Sequence, residues 1–111
     1  MFLNTQTQEI SQLEANLCYA FVDPTRIRIL YALNERPHNV TELTNQIGSN
    51  QPKISRHLKV LRDLGLVHTT RQGVTITYEL SDFRLIKALD ILRGVLHDSL
   101  VVKASMIAKI D

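Results

Sequence analysis

A chain of 111 residues, 44% hydrophobic and 22% charged, has the length and composition of one globular domain, which excludes wholesale disorder. No apolar stretch approaches the roughly 18 residues of a membrane span. The start Met1-Phe2-Leu3-Asn4-Thr5-Gln6 lacks the basic-then-apolar order of a signal peptide, and the lone Cys18 allows no intrachain disulfide. A reducing cytoplasm is the simplest setting for such a chain. The formal net charge of +2 becomes informative only when it is resolved along the sequence. Residues 1–35 sum to −2, whereas residues 50–74 sum to +4, with Lys53, Arg56, Lys59, Arg62 and Arg71 against Asp63 alone. A basic stretch inside neutral or acidic chain suits a nucleic-acid-binding face, and equally an ordinary solvated helix face. The element that carries it must decide.

The first element reads as a helix from about Gln8 to Val22, with Ile10, Leu13, Leu17, Ala20 and Phe21 on one apolar stripe. Asp23-Pro24 restarts the chain, since Asp accepts from free N–H groups of the next turn and Pro costs the first turn nothing. A helix from about Pro24 to Asn34 follows, apolar over most of its circumference and so expected to be buried. Arg36-Pro37-His38 breaks it, with His38 expected on the surface of a loop. Asn39 and Glu42 form a capping box for a short helix carrying Leu43 and Ile47 and ending at Gly48. Asn50 then caps a helix with Ile54, Leu58, Leu61 and Leu64 on one face and Gln51, Lys53, Ser55, Arg56, Lys59 and Arg62 on the others, ended by Gly65. His57 on this helix reads as a phosphate neighbour or a packing group, with packing preferred.

The period then changes from helical to alternating. Residues 66–71 and 74–80 are rich in β-branched side chains, and Gln72-Gly73 between them predicts a hairpin turn. His68 in the first of these strands is expected on the surface. Ser81 is the expected cap of a long last helix, with Leu85, Leu89, Leu92 and Leu96 as its stripe and Leu100, Val101, Met106 and Ile110 beyond. Gly94 makes a bend possible there.

A short helix joined by a tight turn to a basic helix is the helix-turn-helix pattern, and a hairpin directly after it makes the wing. The fold expected is mainly α with a small β-hairpin, a winged helix-turn-helix of order α-α-α-α-β-β-α over residues 1–111 as a single domain. A helix fits the DNA major groove, so one face of the basic helix binds the domain while the other reads bases and neutralises phosphates. Gln51 can pair with adenine, Lys53 and Arg56 can reach guanine or phosphate, Ser55 donates or accepts, and Lys59 suits a phosphate. Arg71 and Gln72 in the wing suit the minor groove or its phosphates.

Asp23-Pro24-Thr25-Arg26-Ile27-Arg28-Ile29-Leu30, Glu42-Leu43, Ile54-Ser55-Arg56-His57-Leu58-Lys59-Val60-Leu61, Gly65-Leu66-Val67, Arg71-Gln72-Gly73 and Tyr78-Glu79-Leu80 together resemble the ArsR/SmtB winged-helix repressors. The resemblance runs from roughly Ile10 to Leu96 in family order and spacing. It implies a homodimer joined through first and last helices, with Ile10, Leu13, Leu17, Phe21, Leu85, Leu89, Leu92 and Leu96 at the interface. It also implies a cytoplasmic repressor that binds double-stranded operator DNA with an imperfect inverted repeat and is released by an inducing signal.

The sensing elements of the family are where this sequence departs from it. Metal-sensing members carry Cys-x-Cys after the Glu-Leu, where this chain has Thr44-Asn45-Gln46. Last-helix metal ligands would fall on Asp82, Arg84, Val95 and Asp98, of which two carboxylates alone make a poor zinc site, with His97 beside them. Neither a metal nor a cofactor is therefore expected. Cys18 is the remaining candidate thiol sensor, against its reading as a small buried apolar residue. In relatives that sense oxidants two cysteines per chain are implied, and this chain has one.

No Gly-rich phosphate loop, paired acid–base constellation or nucleophile with an adjacent base occurs, so an enzyme is not expected. Two alternatives to an inducible repressor stay open. One is a winged helix used for protein–protein contact. The other is a DNA-binding repressor with no small effector.

Overall fold

The computed structural model describes residues 2–110, with side-chain environments for residues 7–108. The side chains of residues 1–6 and 109–111, that of Ile110 in the last stripe among them, lie outside what it describes. Helix α1 (Phe2–Cys18) runs into a 3-10 turn at Tyr19–Phe21, and α2 (Pro24–Glu35), β1 (His38–Asn39), α3 (Val40–Ile47) and α4 (Gln51–Asp63) follow. Strands β2 (Val67–Gln72) and β3 (Thr75–Leu80) precede the long α5 (Arg84–Ile110). The chain divides into two compact units, Met1–Ser81 and Asp82–Asp111.

The joints of the first unit are built by local hydrogen bonds. The Asp23 carboxylate accepts from Thr25 N–H at 2.7 Å, and Pro24 takes the first helical position. The capping box of α3 is complete: Glu42 N–H donates to Asn39 Oδ1 at 2.8 Å, and Asn39 N–H to Glu42 Oε1 at 3.0 Å. Gly48 then adopts φ 76°, a left-handed turn that L side chains avoid, and sends the chain to Asn50. Asn50 Oδ1 accepts from Lys53 N–H at 2.9 Å and opens α4. The core beneath these helices comprises Ala20, Ile29, Leu30, Leu33, Leu43, Ile54, Leu58, Leu61, Val67 and Leu80, all nearly free of solvent contact. Burying a Leu or Ile side chain contributes about 1.5–3 kcal/mol, so the apolar faces of α2, α3 and α4 are what hold the unit together.

Four expectations are corrected by this structure. The first helix does not run on to Val22 but tightens at Tyr19, where the Arg26 guanidinium takes the carbonyls of Tyr19 and Ala20 at 2.9 and 3.0 Å. His38 is not on a surface loop: it is 1% exposed, sits in β1, and pairs across to Tyr78. Its Nδ1–H donates to the Arg36 carbonyl at 2.7 Å, and Nε2 lies 2.8 Å from the Gln46 side-chain amide, so its polarity is satisfied inside the fold. The hairpin turn falls one residue later than expected, at Gly73-Val74, because Gln72 pairs with Thr75. Gly73 has φ 63° at the first turn position, as a type II′ turn requires, and the three-stranded antiparallel sheet runs β1-β3-β2. Asp82 rather than Ser81 caps the last helix, its carboxylate accepting from Arg84 N–H at 2.9 Å and from the Arg84 guanidinium at 2.7 Å.

Helix α5 spans 27 residues, about 40 Å at 1.5 Å per residue, and passes unbroken through Gly94. Ile86 and Leu89 are buried, whereas Ile91, Leu92, Val95, Leu96, Leu100, Val102, Met106 and Ile107 are each more than half exposed. No helix among the described residues is long and apolar enough to cross a membrane.

Candidate nucleic-acid interface

Helix α4 is divided lengthwise by its sequence. Ile54, Leu58 and Leu61 recur at i, i+4 and i+7 and are completely buried. Gln51, Ser55, Arg56, Lys59 and Arg62 are exposed on the remaining surface, and Lys53 is half-buried. Every long side chain on the exposed side is thus polar. Lys59 Nζ lies 3.6 Å from Asp63 Oδ2 in an exposed pair one turn apart, a contact worth only a few tenths of a kcal/mol. Arg56 and Arg71 have no ion-pair partner among the described residues. Both guanidiniums are free to offer paired donors to a guanine edge or a phosphate.

Arg71 and Gln72 stand at the end of β2, exposed beside the Gly73-Val74 turn, and Val74 at the tip is 97% exposed. The structure therefore groups Gln51, Ser55, Arg56 and Lys59 on one helix and places Arg71 and Gln72 on the separate hairpin. The Leu66 N–H donates to the Leu61 carbonyl at 2.9 Å, so the hairpin is attached directly to the end of α4. His68 is exposed as expected, with Nε2 2.9 Å from Glu79 Oε2 across the strands.

Arg26, His57 and Asp23 form a network that composition and spacing did not reveal. Arg26 is 7% exposed and its guanidinium carbon lies 5.2 Å from the centroid of the Tyr19 ring. Besides its two carbonyl acceptors it places Nη1 3.4 Å from His57 Nδ1. His57 Nε2 lies 3.8 Å from Asp23 Oδ2, an ion-pair rather than a hydrogen-bond distance. Burial pushes the His57 imidazole below its ordinary range; Asp23 opposes this, while Arg26, Lys53 and Arg56 reinforce it. Asp23 is held below the usual carboxylate range chiefly by the Thr25 N–H. The packing role preferred for His57 agrees with its half-buried position, but its partners are charged groups. The available signal was Arg26 itself, a cation in a helix otherwise apolar over most of its circumference.

Of the residues expected at a dimer interface, Leu89 is buried within the chain, while Leu17, Phe21 and Leu85 are half-buried. Ile10, Leu13, Leu92 and Leu96 are each more than half exposed. Cys18 is exposed, contrary to its reading as a buried apolar residue, because it falls on the outer side at the end of α1. No group of three His, Cys, Asp or Glu side chains able to hold a metal occurs among the described residues. Asp82 is engaged by Arg84, and His97 Nδ1 lies 3.5 Å from Asp98 Oδ1.

Residues 23–69, which include α2, α3 and α4, match the family model described as "Bacterial regulatory protein, arsR family". The chain is 43% identical over 60 residues to the HTH-type transcriptional regulator KmtR of Mycobacterium tuberculosis, covering 54% of this chain and 46% of that protein. It is 39% identical over 84 residues to the HTH-type transcriptional regulator NmtR of the same organism, covering 76% of this chain and 69% of NmtR. It thus spans less than half the length of the first relative and about two thirds of the second. The crystal structure of the transcriptional repressor BigR from Xylella fastidiosa superimposes with a TM-score of 0.72 at 30% identity, covering 83% of this chain and 94% of that one. These relatives are regulators rather than enzymes. The chain belongs to the arsR family of bacterial regulatory proteins and has the winged helix-turn-helix fold of its transcriptional regulators.

Proposed function

We propose that two copies of this chain form a cytoplasmic repressor that binds double-stranded operator DNA through α4 and the hairpin. The observation that carries this reading is the division of α4, with Ile54, Leu58 and Leu61 completely buried and Gln51, Ser55, Arg56 and Lys59 exposed on the other side. Such a helix is anchored from behind and offers donors and cations from the front, as major-groove entry requires. Residues 1–111 act as one DNA-binding domain, with Arg71 and Gln72 reaching the flanking phosphates or minor groove. The exposed apolar residues of the first and last helices, Ile10, Leu13, Leu92 and Leu96, form the contact with the second copy.

Two-fold symmetry sets the operator. Two α4 helices entering successive major grooves about 34 Å apart read an imperfect inverted repeat. Lys53, Arg56, Lys59 and Arg71 from both copies supply about eight contacts, so affinity falls about 10³–10⁵-fold between about 50 and 200 mM salt. Fluorescence anisotropy on duplexes from the promoter of the chain's own operon tests this, with Arg56→Ala as the variant. Salt-dependent binding weakened by the substitution supports the reading. Equal affinity of both proteins for a mapped operator overturns the role of Arg56, and absence of binding to any promoter duplex overturns the DNA-binding reading.

A further inference from the structure

We propose that Arg26 and His57 are positioning residues of the reading helix, the neutral His57 imidazole being held between the Arg26 guanidinium and the Asp23 carboxylate so that α4 is seated on the end of the first helix. This inference rests on the DNA-binding reading of α4.

The apolar contacts of Ile54, Leu58 and Leu61 hold α4 to the domain but are non-directional, so they specify its rotation and axial position weakly. His57 supplies the direction. It follows Arg56 immediately and Ser55 by two residues, so a shift of its ring moves the reading side chains with it. Arg26 cannot follow His57 outward, because its Nε donates to the Ala20 carbonyl at 3.0 Å and its Nη2 to the Tyr19 carbonyl at 2.9 Å. Its third nitrogen, Nη1, is the one that faces His57 Nδ1 at 3.4 Å.

The chemistry selects one form of the ring. A guanidinium only donates, so His57 Nδ1 must be the acceptor. The single proton of the neutral imidazole then sits on Nε2, the nitrogen that faces Asp23 Oδ2 at 3.8 Å. The charged groups facing His57 are Asp23 and Arg26 from the start of α2 and Lys53 and Arg56 from α4 itself. Three cations and one carboxylate, with partial burial, disfavour the imidazolium. Protonation would set an N–H on Nδ1 against the Arg26 N–H, donor against donor and cation against cation, and the seat would open. Acid therefore weakens DNA binding through His57, although a positive charge added near DNA would by itself strengthen it.

The test uses the whole chain and a duplex that the wild type enriches from a random-sequence pool at about pH 7.5. His57→Asn places an untitratable carbonyl where Nδ1 stood, whereas His57→Leu fills the space without an acceptor. His57→Leu should bind the duplex about tenfold more weakly, the scale of a lost hydrogen bond to a charged group, and His57→Asn within about twofold of wild type. Between about pH 7.5 and about pH 5, wild type should lose about fivefold in affinity relative to His57→Asn. Wild type gaining on His57→Asn in acid, or His57→Leu matching wild type, overturns the proposal. Imidazole ¹⁵N NMR of the DNA-free wild type gives a second readout, with the Nε2–H tautomer of His57 expected at neutral pH and the Nδ1–H tautomer overturning the proposal. Failure to enrich any duplex would count against DNA binding itself, and the NMR result would still decide the seat.

Discussion

Helices α4 and α5 are both amphipathic, yet they leave opposite kinds of surface uncovered. In α4 the apolar residues Ile54, Leu58 and Leu61 are fully buried, and the exposed side carries Gln51, Ser55, Arg56, Lys59 and Arg62. Among the described residues of α5 only Ile86 and Leu89 are buried, and a series of large apolar residues from Ile91 to Ile107 stays exposed. The uncovered chemistry of each helix is what supports the partner proposed for it. Cations and amides are stable in water and become useful beside a polyanion, whereas exposed leucines and valines at helical spacing form the kind of contiguous patch that marks a protein contact. The contrast teaches that amphipathicity alone does not assign a helix; the residues left over after the core is satisfied do.

The largest effect on this contrast should come from the buried side of α4. Leu58→Ala should lower unfolding stability by about 2–5 kcal/mol, because the emptied space is surrounded by packed side chains, and a thermal or urea melt measures it. On α5, Leu92→Glu should leave the single chain folded but weaken self-association about 100-fold, since a charge is placed where the second copy is proposed to sit. Sedimentation equilibrium reads that shift, and an unchanged dimer would assign the α5 surface to another role. Arg56→Ala should cost operator affinity about tenfold with the dimer intact, as expected for one lost base or phosphate contact per subunit.

The hairpin offers a smaller perturbation. Val74 at its tip is 97% exposed, so Val74→Arg should fold normally and steepen the salt dependence of DNA binding by about one per subunit. An unchanged slope would place the tip away from the phosphates. The smallest effect concerns Asp82, whose carboxyl is held at about 2, first by the Arg84 side chain and then by the Arg84 N–H. Its folded value lies below the unfolded one, so its contribution is complete above about pH 4 and is lost as pH falls through about 2. Asp82→Asn should flatten the acid limb of the stability profile by a small amount, and an identical acid limb in both proteins would show the ion pair to be without consequence.

Helix starts and stops were legible because their causes are local. The Asn39/Glu42 capping box, the Asn50 cap and the glycine ends at Gly48 and Gly65 are interactions within a few residues, and all form as expected. The division of α4 was legible for a similar reason: its spacing places apolar and polar residues on opposite sides before any partner is known. Strand β1 was not legible, since two residues carry no periodicity and His38-Asn39 is a strand only because Tyr78 and Thr77 lie opposite. The hairpin turn shifted by one residue for the same reason, its position being set by the pairing of Gln72 with Thr75.

Residue order and spacing were enough for the family, the order of the helices and the hairpin, and the polar residues that face outward from the basic helix. These depend on short-range bonding and on side-chain spacing, which any isolated segment already contains. Packing of distant segments made Arg26 and His38 interior residues and left Cys18 exposed. The same packing holds His57 between a cation and a carboxylate. A buried polar side chain is tolerated only where acceptors and donors from distant elements meet it, and residues 26 and 57 become neighbours only once the chain has folded.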